Sequence, residues 1–225
     1  MKTVVNEYQY ACADLVFATA GDFQSWRTSQ TFQADSLDKY ETECACVTLY
    51  LNALIQTPNS MVFFPIRLKR SESPDFVLSF GDNMQIGIEH STITSTKYQQ
   101  LRAESMRNPK EQIVWLDAFK IGGPPDKEIN QGWVGDEPER EWATLAFDRI
   151  KEKFSKLNRS HFKKCMRNEL LLNTVSYLPN LKIEVAIKML RPQLTEEAAD
   201  GKYESLFDSI SFIYGRWTIP HALTK

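Results

Sequence analysis

Two acidic residues, Asp75 and Glu89, lie fourteen residues apart in largely apolar segments of the chain. Carboxylate oxygens are hard ligands of the kind that Mg²⁺ prefers, and two or three acidic groups with a carbonyl suffice because Mg²⁺ keeps several of its waters. A metal ion held in this way can activate a water molecule and neutralise nearby negative charge. This chemistry depends on whether the fold brings the two side chains together.

The segments that carry these acids have the pattern of a β-hairpin. Residues 76–80 and 84–88 alternate around the turn sequence Gly81-Asp82-Asn83. A three-residue turn gives apolar pairs on one side of the sheet: Phe80 with Met84, Leu78 with Ile86 and Phe76 with Ile88. A two-residue turn would set apolar against polar residues throughout, so we predict the three-residue register. It places Asp75 opposite Glu89, where the like charges either stay in solvent or hold a cation.

The sequence Pro74-Asp75, with Glu89 on the paired strand, resembles the motif of the PD-(D/E)XK nuclease superfamily. The fold of that superfamily begins with a helix that leads into such a hairpin. The resemblance covers residues 35–116, and the later helix–strand pattern is compatible with it. It implies an α/β protein with a restriction-endonuclease-like mixed central sheet flanked by helices, and a metal-dependent nuclease that hydrolyses phosphodiester bonds in DNA. The motif is short, so its specificity comes from this structural context.

The resemblance also implies a site for Mg²⁺ or Mn²⁺. Asp75 would be the central bridging ligand, Glu89 the second ligand and the backbone carbonyl of His90 the third. An acid on the first helix often completes the site in this superfamily. Glu43, beside the apolar stripe of that helix, is the candidate, and Glu41 on the other edge of the stripe is the alternative. The His90 side chain is predicted to point away from Glu89, because neighbours on a strand face opposite sides.

The chain departs from the usual motif two residues after the second acid. A lysine usually stands there, whereas this chain has Ser91. This lysine migrates within the superfamily, and Lys97, at the start of the next predicted helix, is the candidate to replace it. Gln99 and Gln100 are weaker candidates.

Two alternatives to an active nuclease stay open. If no cation replaces the lysine, the protein is a catalytically weakened or inactive nuclease-like module that binds nucleic acid or another protein. If the motif is a coincidence in an unrelated α/β protein, Asp75 and Glu89 should lie far apart.

A run of cations between residues 149 and 167 bears on the substrate. It contains eight Lys or Arg residues and one acid, Glu152, in a chain of net charge −2. Such a run is either a solvated helix face or a phosphate-binding surface whose affinity falls steeply with salt. The residues predicted to contact nucleic acid are Lys151, Lys156, Arg159, Lys163, Lys164 and Arg167.

Apolar spacing predicts the elements around the site. One helix is predicted from a cap at Asp35-Ser36 to Gln56, and another over residues 139–157. Other predicted helices cover residues 8–20, 96–107 and 183–190, the last of them ended by Pro192. The other predicted strands lie around residues 61–68, 112–117, 169–173 and 206–214.

Composition limits the class of protein. The 225 residues include 27 Lys+Arg and 29 Asp+Glu, and 42% are hydrophobic, which is typical of a globular protein. A chain of this length can form one core. We therefore predict a single nuclease-like domain over residues 1–225, with residues 1–34 as an N-terminal extension and residues 121–138 as a loop insertion.

The sequence also limits location and partners. No apolar run reaches the roughly 18 residues of a membrane helix, and Glu7 interrupts any signal-peptide core, so no membrane contact is expected. The four cysteines lack zinc-site spacing and fit free thiols in a reducing cytoplasm. DNA is the predicted partner, with RNA as the alternative, since near-neutral charge excludes only indiscriminate coating of nucleic acid. A homodimer and a protein partner in a defence or mobile-element system stay open.

Overall fold

The computed structural model describes residues 11–34, 38–58, 62–81, 84–94, 135–157, 162, 164–174, 178, 181–199, 206–214 and 217–222. These residues form an α/β structure with a mixed sheet whose seven strands lie side by side in chain order. The strands are β1 (Asp14–Phe17), β2 (Ile66–Arg70), β3 (Phe76–Phe80), β4 (Met84–Ile93), β5 (Arg167–Thr174), β6 (Ser209–Tyr214) and β7 (Trp217–Ala222). The helices are α1 (Ala20–Ser29), α2 (Lys39–Gln56), α3 (Glu137–Leu157) and α4 (Ile183–Ala199).

The β3–β4 hairpin confirms the predicted register. The pairs are Phe76 with Ile88, Leu78 with Ile86 and Phe80 with Met84. Five of these six side chains are buried in the core, and Met84 packs against it. Gly81 begins the turn with φ of 55°, in the region that favours glycine. The hairpin thus fixes which residue lies opposite which at its open end.

Helix α2 ends at Gln56 as predicted, but its cap is Asp38 rather than Asp35-Ser36. The Asp38 carboxylate accepts a hydrogen bond from the N–H of Glu41 at 2.9 Å, the bond that defines a helix cap. Residues 35–37 lie outside the described residues. The buried part of α2 is wider than the predicted apolar stripe. It also includes Thr42, Glu43, Ala45, Cys46 and Thr48.

The predicted helix over residues 8–20 is wrong where β1 forms. This strand pairs with β2 at one edge of the sheet, and the helix α1 follows it. Thr19 and Asp22 form a capping box that fixes the start of α1. Phe17 and Phe23 pack edge to face with ring centroids 5.3 Å apart, and both are buried. Part of the predicted N-terminal extension therefore supplies an edge strand and core residues.

Two features near the C-terminus also differ from the prediction. The predicted helix stop at Pro192 is wrong, because α4 continues to Ala199. Leu190 and Leu194 are buried on either side of the proline, and this burial offsets the one lost hydrogen bond. Strand β7 was not expected. Its Pro220 is tolerated because β7 is the last strand of the sheet, where a missing N–H costs little.

The remaining predictions are confirmed or lie outside the described residues. Strands β5 and β6 form within three residues of their predicted bounds, and α3 begins two residues earlier than predicted. Strand β2 overlaps the strand predicted around residues 61–68 only at residues 66–68, and it continues to Arg70. Its first residues, Glu137 and Pro138, belonged to the predicted loop insertion. The predicted elements over residues 96–107 and 112–117 and most of the insertion lie outside the described residues.

The chain divides into two compact units. The first contains residues 1–91, 157–173 and 205–225, which include the hairpin, α1 and α2. The second contains residues 92–156 and 174–204, which include α3 and α4. A single nuclease-like domain over the whole chain stays a prediction. In the described residues, no helix is long and apolar enough to cross a membrane.

Candidate functional site

Asp75 contacts the backbone of β4 at the open end of the hairpin. It directly precedes β3, and its Oδ2 accepts a hydrogen bond from the N–H of His90 at 2.8 Å. The register that pairs Phe76 with Ile88 puts Asp75 opposite Glu89. The first acid therefore lies against the peptide group that joins Glu89 to His90.

Glu89 and His90 project from opposite faces of β4. His90 shares its face with Ile88, and Glu89 shares its face with Gly87. Both side chains are buried, with 7% of Glu89 and 8% of His90 exposed. In an antiparallel strand the carbonyl points to the same edge as the N–H, so the His90 carbonyl faces the edge where Asp75 lies. Two carboxylates and this carbonyl are hard oxygen donors of the kind that Mg²⁺ binds.

Glu43, the predicted ligand from the helix, is held by two cations. Its carboxylate lies 2.5 Å from Nη1 of Arg70 and 3.5 Å from Nζ of Lys39, and its side chain is 3% exposed. The Arg70 guanidinium lies over the rings of Tyr40 and Phe76, 5.0 and 4.7 Å from their centroids. The arginine is therefore fixed by an ion pair and by two aromatic faces.

This ion pair limits what Glu43 can do. Arg70 holds it on the face of the hairpin that carries Phe76, whereas Glu89 points to the other face. Binding a metal would require Glu43 to leave a buried ion pair, which is costly. In the part of the chain that the structure describes, no three acidic, histidine or cysteine side chains form a group able to hold a metal. Metal binding by Glu43 stays a prediction that its ion pair with Arg70 disfavours.

The other residues considered for the site lie apart from it or outside the described residues. Glu41 accepts a hydrogen bond from the N–H of Gln33 at 3.1 Å, so this alternative acid is engaged elsewhere. Lys97, Gln99 and Gln100 lie outside the described residues. Whether Lys97 replaces the motif lysine stays a prediction.

The residues of the predicted basic surface are divided between the two units, and two of them lie on α3 of the second unit. Lys151 Nζ lies 5.2 Å from the ring centroid of Phe147. Lys156 pairs with Glu152, one turn before it on the same helix. Cations in such contacts remain accessible to a phosphate, so their predicted role stays open.

Two further residues of the basic surface are described in the first unit. Lys164 is exposed. Arg167 is 45% exposed, and its guanidinium donates to the hydroxyl of Ser209 at 2.7 Å. Arg159 and Lys163 lie outside the described residues.

A buried polar network that the sequence analysis missed lies beside Arg167. Glu169 is 1% exposed, accepts hydrogen bonds from the hydroxyls of Ser209 and Ser211, and lies 3.4 Å from Arg167. Burial raises the pKa of Glu169, although the two hydroxyls and Arg167 act in the opposite direction. The sequence offered a signal for this network, since Glu169 directly precedes the apolar strand segment 170–172. An acid in a buried strand is rarely without a partner, so its position indicates a paired carboxylate.

This network predicts a pH dependence of stability. The pKa of Glu169 is higher in the folded than in the unfolded state, so folding takes up a proton between the two values. The free energy of unfolding should therefore fall as pH rises above the ordinary pKa of 4.5, until the raised value is passed. Glu169→Gln removes this contribution. Urea unfolding of both proteins from about pH 4 to 8 tests it, and a constant difference between them would contradict the raised pKa.

Gly87 lies against side chains at the start of β5 and just before it. A Cβ on Gly87 would lie 2.9 Å from Pro74 Cγ, 3.0 Å from Asn168 Oδ1 and 3.1 Å from Cys165 Sγ. The Asn168 side chain is itself held, because its Oδ1 accepts from the Cys165 N–H at 3.1 Å. Gly87 shares its face with Glu89, so these neighbours lie beside the face that carries the second acid.

We expect Gly87→Ala to lower the free energy of unfolding by about 1–3 kcal/mol, because the added methyl overpacks a site whose neighbours cannot move freely. Gly21→Ala is the matched control. A Cβ there meets only Thr19 Oγ1, at 3.5 Å, and alanine favours the helix α1, so stability should be unchanged or higher. Urea unfolding compares the two variants. Equal effects would show that the close approach at Gly87 is not tight.

Comparison of the chain with protein-family models, with curated proteins and with solved structures finds no match. The resemblance to the PD-(D/E)XK superfamily therefore rests on Pro74-Asp75, on Glu89 and on the hairpin that joins them.

Proposed function

We propose that the chain is a metal-dependent nuclease with a restriction-endonuclease-like fold, in which Asp75 and Glu89 hold Mg²⁺ or Mn²⁺. One observation carries the proposal. The hydrogen bond from the His90 N–H to Asp75 fixes the first acid against the strand that bears the second. The helix α2, which leads into the hairpin, further supports the resemblance.

In this proposal, residues of the hairpin hold the metal ion and orient its ligands. When bound, the metal supplies an activated water and positive charge at the phosphate. The His90 N–H orients Asp75 by binding one carboxylate oxygen, as a group in the outer shell of a metal site does. Glu89 is 7% exposed, so water screens its charge weakly and its attraction for a cation is strong. The His90 carbonyl would be a third oxygen ligand.

The substrate we propose is DNA, with RNA as the alternative. Exposed Lys164 lies just before β5, next in the chain to Cys165, whose side chain lies close to Gly87 of the hairpin. Cations beside the acids would bind the phosphate backbone without reading sequence. We propose a cytoplasmic enzyme, since its four cysteines suit a reducing compartment. A homodimer and a protein partner stay open.

A second candidate is a nuclease-like module with weak or no activity that binds nucleic acid or protein. Two observations favour it. Ser91 stands where the motif has lysine, and Glu43 is already neutralised by Arg70 and Lys39. Such a module would keep the hairpin while binding metal weakly.

Incubation with supercoiled plasmid DNA separates the two candidates. The nuclease should produce nicked and linear DNA with Mg²⁺ or Mn²⁺ and none with EDTA. Mn²⁺ should also raise its thermal stability, because an ion that binds only the folded state stabilises that state. DNA binding without either effect would favour the inactive module.

A further inference from the structure

Strand β2 places Lys69 on the same face of the sheet as the two acids. Lys69 pairs in register with Val77, which pairs with Gly87. Residues that pair directly share a face, and so do residues two apart on one strand. Asp75 lies two residues before Val77 along this face. Glu89 lies two residues after Gly87, so Lys69 shares the face of both acids.

The pairing of β2 with β3 continues to Asp75 and makes Lys69 the diagonal neighbour of this acid. One residue beyond β2, the N–H of Ser71 donates to the carbonyl of Asp75 at 2.9 Å. Diagonal neighbours on two paired strands are about 7–8 Å apart, a distance that a long side chain can span. The Lys69 ammonium can therefore reach a group bound beside Asp75.

Lys69 is the basic side chain on this face that is open to a ligand. Strands β1, β3 and β4 contain no lysine or arginine, and β2 contains three such residues. Arg70 lies over the ring of Phe76 on the core face. Arg67 donates two hydrogen bonds, of 2.7 and 2.5 Å, to the carboxylate of Asp14. Lys69 is exposed, and within the part of the chain that the structure describes it forms no ion pair.

The order of the strands places Lys69 and the proposed metal on opposite sides of Asp75. Strand β3 lies between β2 and β4. The His90 N–H directs Oδ2 of Asp75 toward β4, the strand that carries Glu89. A metal held by both acids would lie on that side, whereas Lys69 approaches from β2. A phosphate bound to the metal could therefore contact the lysine while both acids keep their places.

We infer that Lys69 binds the phosphodiester of the substrate beside Asp75. This inference rests on the proposed function. Two carboxylates repel an approaching phosphate, so a positive charge next to the metal favours substrate binding. A lysine ammonium on a flexible stem offers three donors and binds phosphate as a point charge. The phosphate is negatively charged before and during the reaction, so Lys69 acts mainly on substrate binding.

Binding of short fluorescent DNA duplexes in EDTA, over a series of salt concentrations, tests the assignment without cleavage. Lys69→Gln should raise Kd on duplexes of different sequence alike, because a phosphate contact reads no sequence. It should also reduce the slope of log Kd against log salt by about 1. With Mg²⁺, Lys69→Gln should raise KM more than it lowers kcat.

Two further variants are the controls for this experiment. Lys69→Arg keeps the charge and should keep the wild-type slope. Arg27→Gln removes one positive charge from α1 instead and should also keep the wild-type slope. Arg27 donates a hydrogen bond to Asn52 of α2, and both helices pack with Phe76 on the core face of the sheet.

The outcomes separate this inference from the proposed function. If the wild type cleaves DNA but Lys69→Gln keeps its slope and KM, the role of Lys69 is wrong and the nuclease proposal stands. Equal losses of affinity in Lys69→Gln and Arg27→Gln would also overturn it, since net charge alone would explain them. If the wild type neither binds DNA nor gains thermal stability from Mn²⁺, the proposed function fails, and the role of Lys69 fails with it. Melting temperatures of the three variants close to that of the wild type would show that folding does not explain a difference.

Discussion

Asp75→Asn and Glu89→Gln should each lower metal-dependent DNA cleavage by at least about 100-fold, because loss of groups that merely orient metal ligands already costs 10–100-fold. Asparagine keeps an oxygen that can accept the hydrogen bond from the His90 N–H, so the hairpin end should stay intact. It removes the negative charge that holds the metal. Nicking of supercoiled plasmid at saturating Mg²⁺ measures the effect.

Glu72→Gln is the matched control for these variants. Glu72 is an exposed acid three residues before Asp75, and its loss changes the net charge by the same amount. Cleavage by Glu72→Gln should match the wild type. Circular dichroism and urea unfolding would show that all three variants are folded. Wild-type cleavage by folded Asp75→Asn and Glu89→Gln would overturn the assignment of the site.

Arg70→Met should lower the free energy of unfolding by about 3–5 kcal/mol, because it removes the buried partner of Glu43 and leaves only the exposed Lys39, 3.5 Å away. Glu43 is 3% exposed and Arg70 16% exposed, so water cannot replace the lost interaction fully. Methionine keeps apolar contact with the Phe76 ring that the arginine covers. Most of the loss should therefore come from the weaker neutralisation of the buried Glu43 carboxylate.

The same strand offers a control for this variant. Arg67 pairs with Asp14 at 2.5 Å, but the two side chains are 53% and 43% exposed, so Arg67→Met should lower the free energy of unfolding far less than Arg70→Met does. The double variant Arg70→Met/Glu43→Met should recover part of the stability lost by Arg70→Met, because both charges leave the interior. Urea unfolding of the wild type, the two single variants and the double variant measures these differences in the free energy of unfolding. Equal losses for Arg70→Met and Arg67→Met would contradict a buried ion pair.

The hairpin could be predicted from sequence because its evidence is local. Alternation with a period of two and a Gly-Asp-Asn turn allow one register with apolar residues paired, and the structure has that register. The position of Asp75 follows from it. The contact of Asp75 with the His90 N–H could not be predicted, because it depends on a side-chain conformation.

The partners of Glu43 could not be predicted for a different reason. Arg70 is 27 residues away, and the two meet only because α2 packs next to β2. Periodicity shows which side of a helix is buried but not which charge lies opposite it. The resemblance therefore suggested a metal ligand where the structure has an ion pair.

Other errors came from patterns with two interpretations. The contiguous apolar residues Leu15, Val16 and Phe17 fit a strand as well as a helix, and only pairing with β2 decides between them. The capping pattern of Thr19 and Asp22 was an available signal that a helix starts just after Thr19. The buried side of α4, which continues past the predicted stop, outweighs a local helix breaker.

A crystal structure with bound Mn²⁺ tests most directly whether Asp75 and Glu89 form a metal site. The account predicts an anomalous peak at the open end of the hairpin, about 2 Å from a carboxylate oxygen of each acid, with the His90 carbonyl as a further ligand. Glu43 should remain paired with Arg70. A peak elsewhere, or none at the two acids in a protein that cleaves DNA, would contradict it.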